Sequence, residues 1–419
     1  MIFNTGIFLM FFLITFSVYW ISNRFLGIRV RNAVLLLASY VFYGYWDWRF
    51  LVLIVFSSVV DFSIGKALMK SSEGTVRKRW MLTSVILNLG LLGVFKYANF
   101  FAGGFQQLLE SIGLTVSYTT LNIVLPVGIS FYTFQTMSYV IDVYRREVEA
   151  ETDPLNFLTF VAFFPQLVAG PIERAAHMLP QFRKALTLRP EHIRMGITFI
   201  AWGLFKKVVL ADNFAILADQ FFAESSTYQS IDVVLGVLCF SMQIYGDFSG
   251  YSDMALGLAR LLGLEITLNF RTPYRSRSFR EFWRRWHITL STWFRDYVYI
   301  PLGGNRGKVY RNLMITFVLS GLWHGAQITF VIWGFLHGLM LILERRLSVV
   351  KRIIPPVLVI ILIHLFWLPF RAESSGHLLS LVQGLNTFSG EWKMWTIIED
   401  YGLIHLTLLA WCVLIFRYF

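Results

Sequence analysis

Apolar runs long enough to enter a bilayer alternate along this chain with short polar stretches, almost from end to end. A membrane helix needs about 20 mainly apolar residues. Ile2–Tyr19 and Ala33–Tyr45 are the first two runs, parted by Arg24, Arg29 and Arg31. The aromatic turn YWDWRF leads into a third, Leu51–Leu68, with Trp and Tyr where a membrane interface favours them. Lys70, Arg77, Lys78 and Arg79 precede a fourth, Trp80–Phe101, and a fifth, Leu121–Val143, ends at Arg145 and Arg146. Basic loops thus alternate with loops free of Lys and Arg, which predicts an external N-terminus and a cytoplasmic 70–80 loop.

The second part of the chain is less regular. Phe157–Ile172 is short, carries Pro165, Gly170 and Pro171, and has basic residues on both sides. Irregular backbone survives at membrane depth only inside protein or around a cavity, so a re-entrant hairpin is expected. Lys206 and Lys207 interrupt an apolar run in GLFKKVVLADN and are expected to snorkel towards the interface. Val233–Tyr245 returns inward and is followed by YGDFSGYSDMALGLARLLG, with small-residue breaks expected at Gly246 and Gly250. From Arg271 to Arg295, seven arginines mix with Phe, Trp and Tyr at nearly helical spacing, which predicts an interfacial amphipathic helix on the cytoplasmic side. Leu313–Leu343 holds no Lys, Arg, Asp or Glu, yet Arg311 and Arg345–Arg346 give it basic flanks at both ends. That run should enter the membrane and come back, with SGLWHGA (Ser320–Ala326) near the reversal. Val357–Phe370 and Leu403–Phe416 are the last spans, with Ala372–Glu399 outside. The pattern predicts an all-α polytopic membrane protein with about ten to twelve inserted segments. With no internal repeat and no disordered linker, residues 1–419 read as a single integral membrane domain.

Composition agrees: 56% of residues are hydrophobic, 17% aromatic and 15% charged, against about 25% charged in soluble domains. The net charge of +12 lies mostly between apolar blocks. The positive-inside rule accounts for it, and no nucleic-acid motif accompanies it. Cys239 and Cys412 are far apart inside apolar stretches, which fits neither a disulfide nor a metal site. Ile7–Trp20 lacks a basic leader and a cleavage site, so it reads as a retained span.

Eight histidines are present. His177, His192, His377 and His405 fall in loops or at helix ends, and His364 stands alone in a span as a packing residue. His287 in RRWHITLS, His324 in SGLWHGA and His337 in GFLHG carry more weight. A histidine half buried in hydrocarbon costs free energy unless something pairs with it. Desolvation disfavours the charged imidazole, and a neutral histidine is a competent general base. Glycines beside His324 and His337 would let a partner helix or a ligand come close. The two histidines are thirteen residues apart, so they do not form a helical metal pair. No nucleophile elbow, Walker loop or dinucleotide fingerprint is present. Residue chemistry alone leaves three readings open: a hydrogen-bonded core histidine, an enzymatic base, or a proton-coupled transporter.

FREFWRRWHITLSTWFRDYVYIPLGG, followed by SGLWHGA, resembles the signature of the membrane-bound O-acyltransferase family, and more closely its bacterial alginate O-acetyltransferase branch. RNAVLLLASYVFYGYW, LPVGISFYTFQTMSYVIDVYR, FFPQLVAGPIER and GLFKKVVLADN extend the likeness from residue 1 past residue 338. The resemblance implies a ring of tilted helices around a thinned centre, with a tunnel joining the two faces. It implies that His324 is the essential catalytic residue and His287 the second histidine of the signature. It also implies a cytoplasmic thioester donor such as acetyl-coenzyme A, with no bound cofactor or metal. The acceptor would be an exported polysaccharide, reached with periplasmic partner proteins at the bacterial cytoplasmic membrane. In such a fold His324 would deprotonate the acceptor hydroxyl, while His287 would orient the donor or stabilise the oxyanion. Gln243, Tyr245, Asp247, Asn305 and Trp323 are expected at the tunnel, interhelical hydrogen bonding being the other role open to them. Arg280, Arg284 and Arg285 would meet donor phosphates or an acidic carrier protein, unless they bind anionic headgroups. Two rival functions remain: a teichoic acid D-alanyl transferase of the same family, and an acyl-donor transporter.

Overall fold

Among the described residues the apolar runs become helices and there is no strand. The computed structural model describes residues 1–114, 124–223, 229–346 and 355–387. Residues 121–123, Cys412, His405 and the expected span Leu403–Phe416 lie outside them. Among the described residues, five helical runs are long and apolar enough to cross a membrane: Gly6–Phe25, Ile28–Lys70, Gly74–Ser111, Ser230–Leu261 and Ile328–Arg346. The chain divides into two compact units, Met1–Ile200 with Asp253–Thr267, and Ala201–Ser252 with Leu268–Phe419.

In the first unit α1 (Gly6–Phe25) starts where Thr5 accepts a hydrogen bond from the Phe8 N–H at 3.3 Å. α2 (Ile28–Asp47) begins before the expected Ala33 and takes in Arg29 and Arg31. The helix can hold Arg31 because its side chain is fully buried and satisfied. The guanidinium donates to the carbonyls of Phe182 (2.9 Å) and Lys184 (2.8 Å) and to Asn32 Oδ1. α3 (Leu51–Lys70), α4 (Gly74–Leu92), α5 (Ala98–Ser111) and α6 (Ile129–Arg145) follow. Buried Asp61 of α3 accepts from Ser84 Oγ at 2.6 Å and Asn88 Nδ2 at 2.8 Å, both on α4. Such polar contacts bind helices where apolar packing alone gives little specificity. The expected re-entrant segment is broken into α7 (Pro154–Ala162) and α8 (Phe164–Leu167), with Phe163 leaving helical geometry between them. Phe157, Phe160, Phe163 and Phe164 are wholly buried, so protein surrounds the irregular backbone. α9 (Ala175–Phe182) and α10 (Pro190–Leu204) come next.

The second unit corrects three expectations. Lys206 and Lys207 do not snorkel. They lie in a π-helical stretch, Phe205–Ala211, between α10 and α11 (Asp212–Ala223). Lys206 is buried and donates to Ser249 Oγ at 2.9 Å, and Lys207 pairs with Asp212 at 2.7 Å and Asp247 at 2.5 Å. Internal partners outbid the interface. Nor do Gly246 and Gly250 break a helix, because α12 (Ser230–Leu261) is continuous. They admit the neighbouring backbone instead: a Cβ on Gly250 would lie 2.8 Å from the Gly203 carbonyl oxygen.

Third, the Arg271–Arg295 stretch is not one interfacial helix. It contains α13 (Phe279–Trp283) and α14 (Ile288–Phe294), separated by His287 in left-handed geometry at φ 42°. Phe279, Phe282 and Trp286 are buried in protein, which a lipid-facing stripe would not allow. The Glu344 carboxylate accepts from the N–H groups of Phe279 (2.5 Å) and Arg280 (3.1 Å), satisfying the start of α13. The expected membrane re-entry is a helical hairpin of α15 (Val309–His324) and α16 (Ile328–Arg346). Its arms pack so closely that a Cβ at Gly321 or Gly334 would collide with the Phe330 or Phe317 carbonyl oxygen. α17 (Pro356–Leu365), α18 (Trp367–Arg371) and α19 (Ser375–Gly384) follow in the described residues.

Candidate active site

His324 is the last residue of α15, so the reversal falls where the uncharged run predicts it. Its ring is half buried and held edge-on by Trp323 (4.9 Å between centroids), Trp333 (5.1 Å) and Phe370 (5.0 Å). Three rigid rings restrict the imidazole, while partial exposure leaves it within reach of a second molecule. The adjacent glycines serve a partner helix: a Cβ at Gly325 would strike the Phe330 ring, and one at Gly338 would lie 3.2 Å from Met314 Sδ and Phe317 Cβ.

His287 is fully buried, unlike His324. Its Nδ1 lies 3.2 Å from Asn269 Oδ1, which also accepts from the Thr289 N–H (3.2 Å) and the Thr289 hydroxyl (2.9 Å). A backbone N–H can only donate, so that Asn269 atom is the oxygen and His287 Nδ1 must carry the proton. Burial holds the His287 pKa down at about 3, which keeps the ring neutral. A neutral ring protonated at Nδ1 presents Nε2 as an acceptor. Phe248 (4.6 Å) and Trp323 (6.0 Å) fix its plane. Trp323 is therefore in ring contact with both histidines.

Between α13, α14, α15 and α16 lies a pocket of about 820 Å³. Arg280, Arg284, Arg295 and Arg345 give it a positive rim, with Tyr299 and Asn305 beside them. Asn305 Oδ1 accepts from Arg345 (2.7 Å) and from the Tyr299 hydroxyl (3.0 Å). Trp283, Phe294, Leu313 and Phe317 make the walls apolar, and buried Thr316 and Ser320 line it as well. Ser320 precedes His324 by one turn of α15, about 6 Å along the axis.

The sequence-derived residues separate accordingly. Arg280, Arg284 and Asn305 line the pocket, whereas Arg285 does not. Arg285 pairs with Glu281 at 2.7 Å and donates to the Arg271 carbonyl. Asp247 is held by Lys207, Tyr245 is buried against Tyr274 at 5.5 Å, and Gln243 is half buried on the same helix. None of these three lines the pocket. Arg295 belongs to the basic stretch that the sequence marks out, whereas nothing in the sequence sets Asn269, Trp283 or Trp333 apart. Arg345 carried a visible signal, but as a marker of membrane orientation.

The sequence model of the membrane-bound O-acyltransferase family matches residues 145–355. The chain is 42% identical over 404 residues to the probable alginate O-acetylase AlgI of Pseudomonas aeruginosa, covering 94% of this chain and 76% of that protein. Identity to the Azotobacter vinelandii protein of the same name is 41% over 428 residues, covering 100% and 83%. The peptidoglycan O-acetyltransferase of Helicobacter pylori is 36% identical over 433 residues, covering 93% and 80%.

Proposed function

The chain belongs to the membrane-bound O-acyltransferase family and is an O-acyltransferase; from that premise we propose that it moves an acetyl group from a cytoplasmic thioester to a hydroxyl of an exported polysaccharide. The observation carrying this reading is the arginine-rimmed pocket whose lining includes Ser320, one turn from His324 on the same helix. A thioester donor such as acetyl-coenzyme A enters with its phosphates at Arg280, Arg284, Arg295 and Arg345. Its acyl end points inward along the apolar walls. Relatives named for alginate and peptidoglycan acetylation support acetyl as the group and a glycan as the acceptor. In this reading the enzyme works at the bacterial cytoplasmic membrane, with periplasmic proteins receiving or presenting the acceptor through a tunnel.

His324 takes the proton from the acceptor hydroxyl as its oxygen attacks the thioester carbonyl. The tetrahedral oxyanion collapses to the ester, the carbon–sulfur bond breaks, and the departing thiolate takes the proton from His324. The negative end of the α15 dipole stabilises the imidazolium in between. His287, neutral and accepting through Nε2, suits orientation of an N–H or O–H group on a substrate. That supports the orienting role over oxyanion stabilisation, which needs a donor.

The double variant R284E/R345E tests the donor side. It is expected to raise KM for acetyl-coenzyme A by about 10²–10⁴-fold, since hydrogen bonds to charged groups contribute about 1.5–3 kcal/mol each and two are lost. The kcat should stay within a few-fold of wild type, as these groups lie at the rim. An unchanged KM in steady-state assays would remove the pocket from donor binding.

A further inference from the structure

His337 is unexplained by the reaction just described. It is 1% exposed, and neither ring nitrogen has a hydrogen-bond partner among the described residues. Rings of Trp333 (4.9 Å), Trp283 (5.0 Å), Phe366 (5.2 Å), Phe279 (5.9 Å) and Phe282 (6.1 Å) surround it. Phenylalanine would fill that space without burying two polar nitrogens, each a desolvation cost with no return. Trp283, perpendicular to it, has a buried Nε1–H that also lacks a partner among the described residues. Two neighbouring orphaned groups of complementary chemistry, one a donor and one able to accept, point to a ligand.

Their position says which ligand. Trp283 lines the pocket and packs on Phe317 at 5.1 Å and Trp333 at 5.7 Å, so its indole closes the inner wall. Leu341 and Glu344 of α16 line the same pocket. His337 precedes them by four and seven residues, on the same helical face, and is therefore the next position inward. Trp333 then bridges from His337 to His324.

We propose that Trp283 and His337 recognise an amide in the arm of the acyl donor, on the reading that this pocket admits an acyl thioester. The indole swings aside as the arm enters, its N–H donates to the amide carbonyl, and the imidazole lone pair accepts from the amide N–H. The site thus selects thioesters carried on an amide-bearing arm of the pantetheine type. Acyl groups on plain lipid carriers lack that match. Lone donors and acceptors of this kind discriminate strongly, because a ligand without the partner leaves them buried and unpaired.

The test uses the full-length chain in lipid nanodiscs and S-acetonyl-coenzyme A, a non-transferable analogue that keeps the pantetheine amides. Dissociation constants are compared for wild type, W283F, H337F and H337N, with the binding-competent fraction measured for each. W283F and H337F are expected to weaken binding about tenfold. H337N, which keeps a donor and an acceptor, should return to within about threefold of wild type. Equal affinities across the series would overturn the inference and leave the donor pocket standing. So would a loss confined to the folded fraction, or a weakening that H337N does not relieve. Failure of wild type to bind the analogue would overturn both the inference and the donor-pocket reading.

Discussion

Replacing His324 by alanine is expected to lower acyl transfer by about 10²–10⁴-fold, the usual contribution of a positioned general base. The protein should still insert and fold. His324 is half buried at a helix end, and the rings around it pack on one another, with Trp333 and Phe370 5.3 Å apart. Donor affinity should hardly move, because Ser320 lines the pocket and the imidazole does not. Initial rates normalised to inserted protein, with donor binding measured separately, check both halves. A fall of less than about threefold would remove His324 from proton transfer.

The second large effect concerns His287 and Asn269 as a unit. H287A is expected to cost about 10²-fold in kcat, the size of loss that misplacing a reacting group produces. N269A removes the acceptor that holds the proton on Nδ1 and should cost about tenfold by admitting the wrong tautomer. If Asn269 acts only through His287, the double variant should be no slower than H287A alone. Additive losses would separate the two residues. The pH dependence follows from burial. His287 stays neutral in the folded protein down to about pH 3, so an activity limb between pH 5 and 8 belongs to another group. The unfolded chain takes up a proton near its ordinary pKa of about 6.5. The folded protein does not, so this residue subtracts nothing from stability above that pH and progressively more as pH falls towards 3.

How much of this was legible in the sequence varies by element. The hairpin carrying His324 was readable because an uncharged run with basic residues at both ends admits few alternatives in a membrane. The Arg271–Arg295 stretch misled for a physical reason: an aromatic stripe looks the same whether it faces lipid or protein. What stops a helix there is the left-handed turn at His287 and the Glu344 carboxylate, which lies 65 residues from Phe279. Gly246 and Gly250 were visible as small residues, but a helix break and a close helix crossing require the same side chain. Lys206 and Lys207 were visible as charges, whereas their partners Ser249, Asp212 and Asp247 come mainly from another helix.

The site divides in the same way. His324, His287, Arg280 and Arg284 could be chosen from the motif that carries them. Asn269, Trp283 and Arg345 acquire the positions behind their proposed roles only when the chain folds. Asn269 sits in an irregular segment with no periodicity to mark it, and Trp283 is one aromatic among many. Its significance is the orphaned indole N–H beside His337, which no sequence pattern records.

The most direct measurement follows one acetyl group. The chain is reconstituted in liposomes, acetyl-coenzyme A labelled in the acetyl carbon is supplied to the arginine-rimmed face, and glycan acceptor is offered at the other. Acetyl transfer through His324 predicts label in a base-labile ester on the glycan, one thiol released per ester formed, and almost none of either with H324A. Label that crosses the membrane still in thioester linkage, or esters formed as fast by H324A, would contradict it.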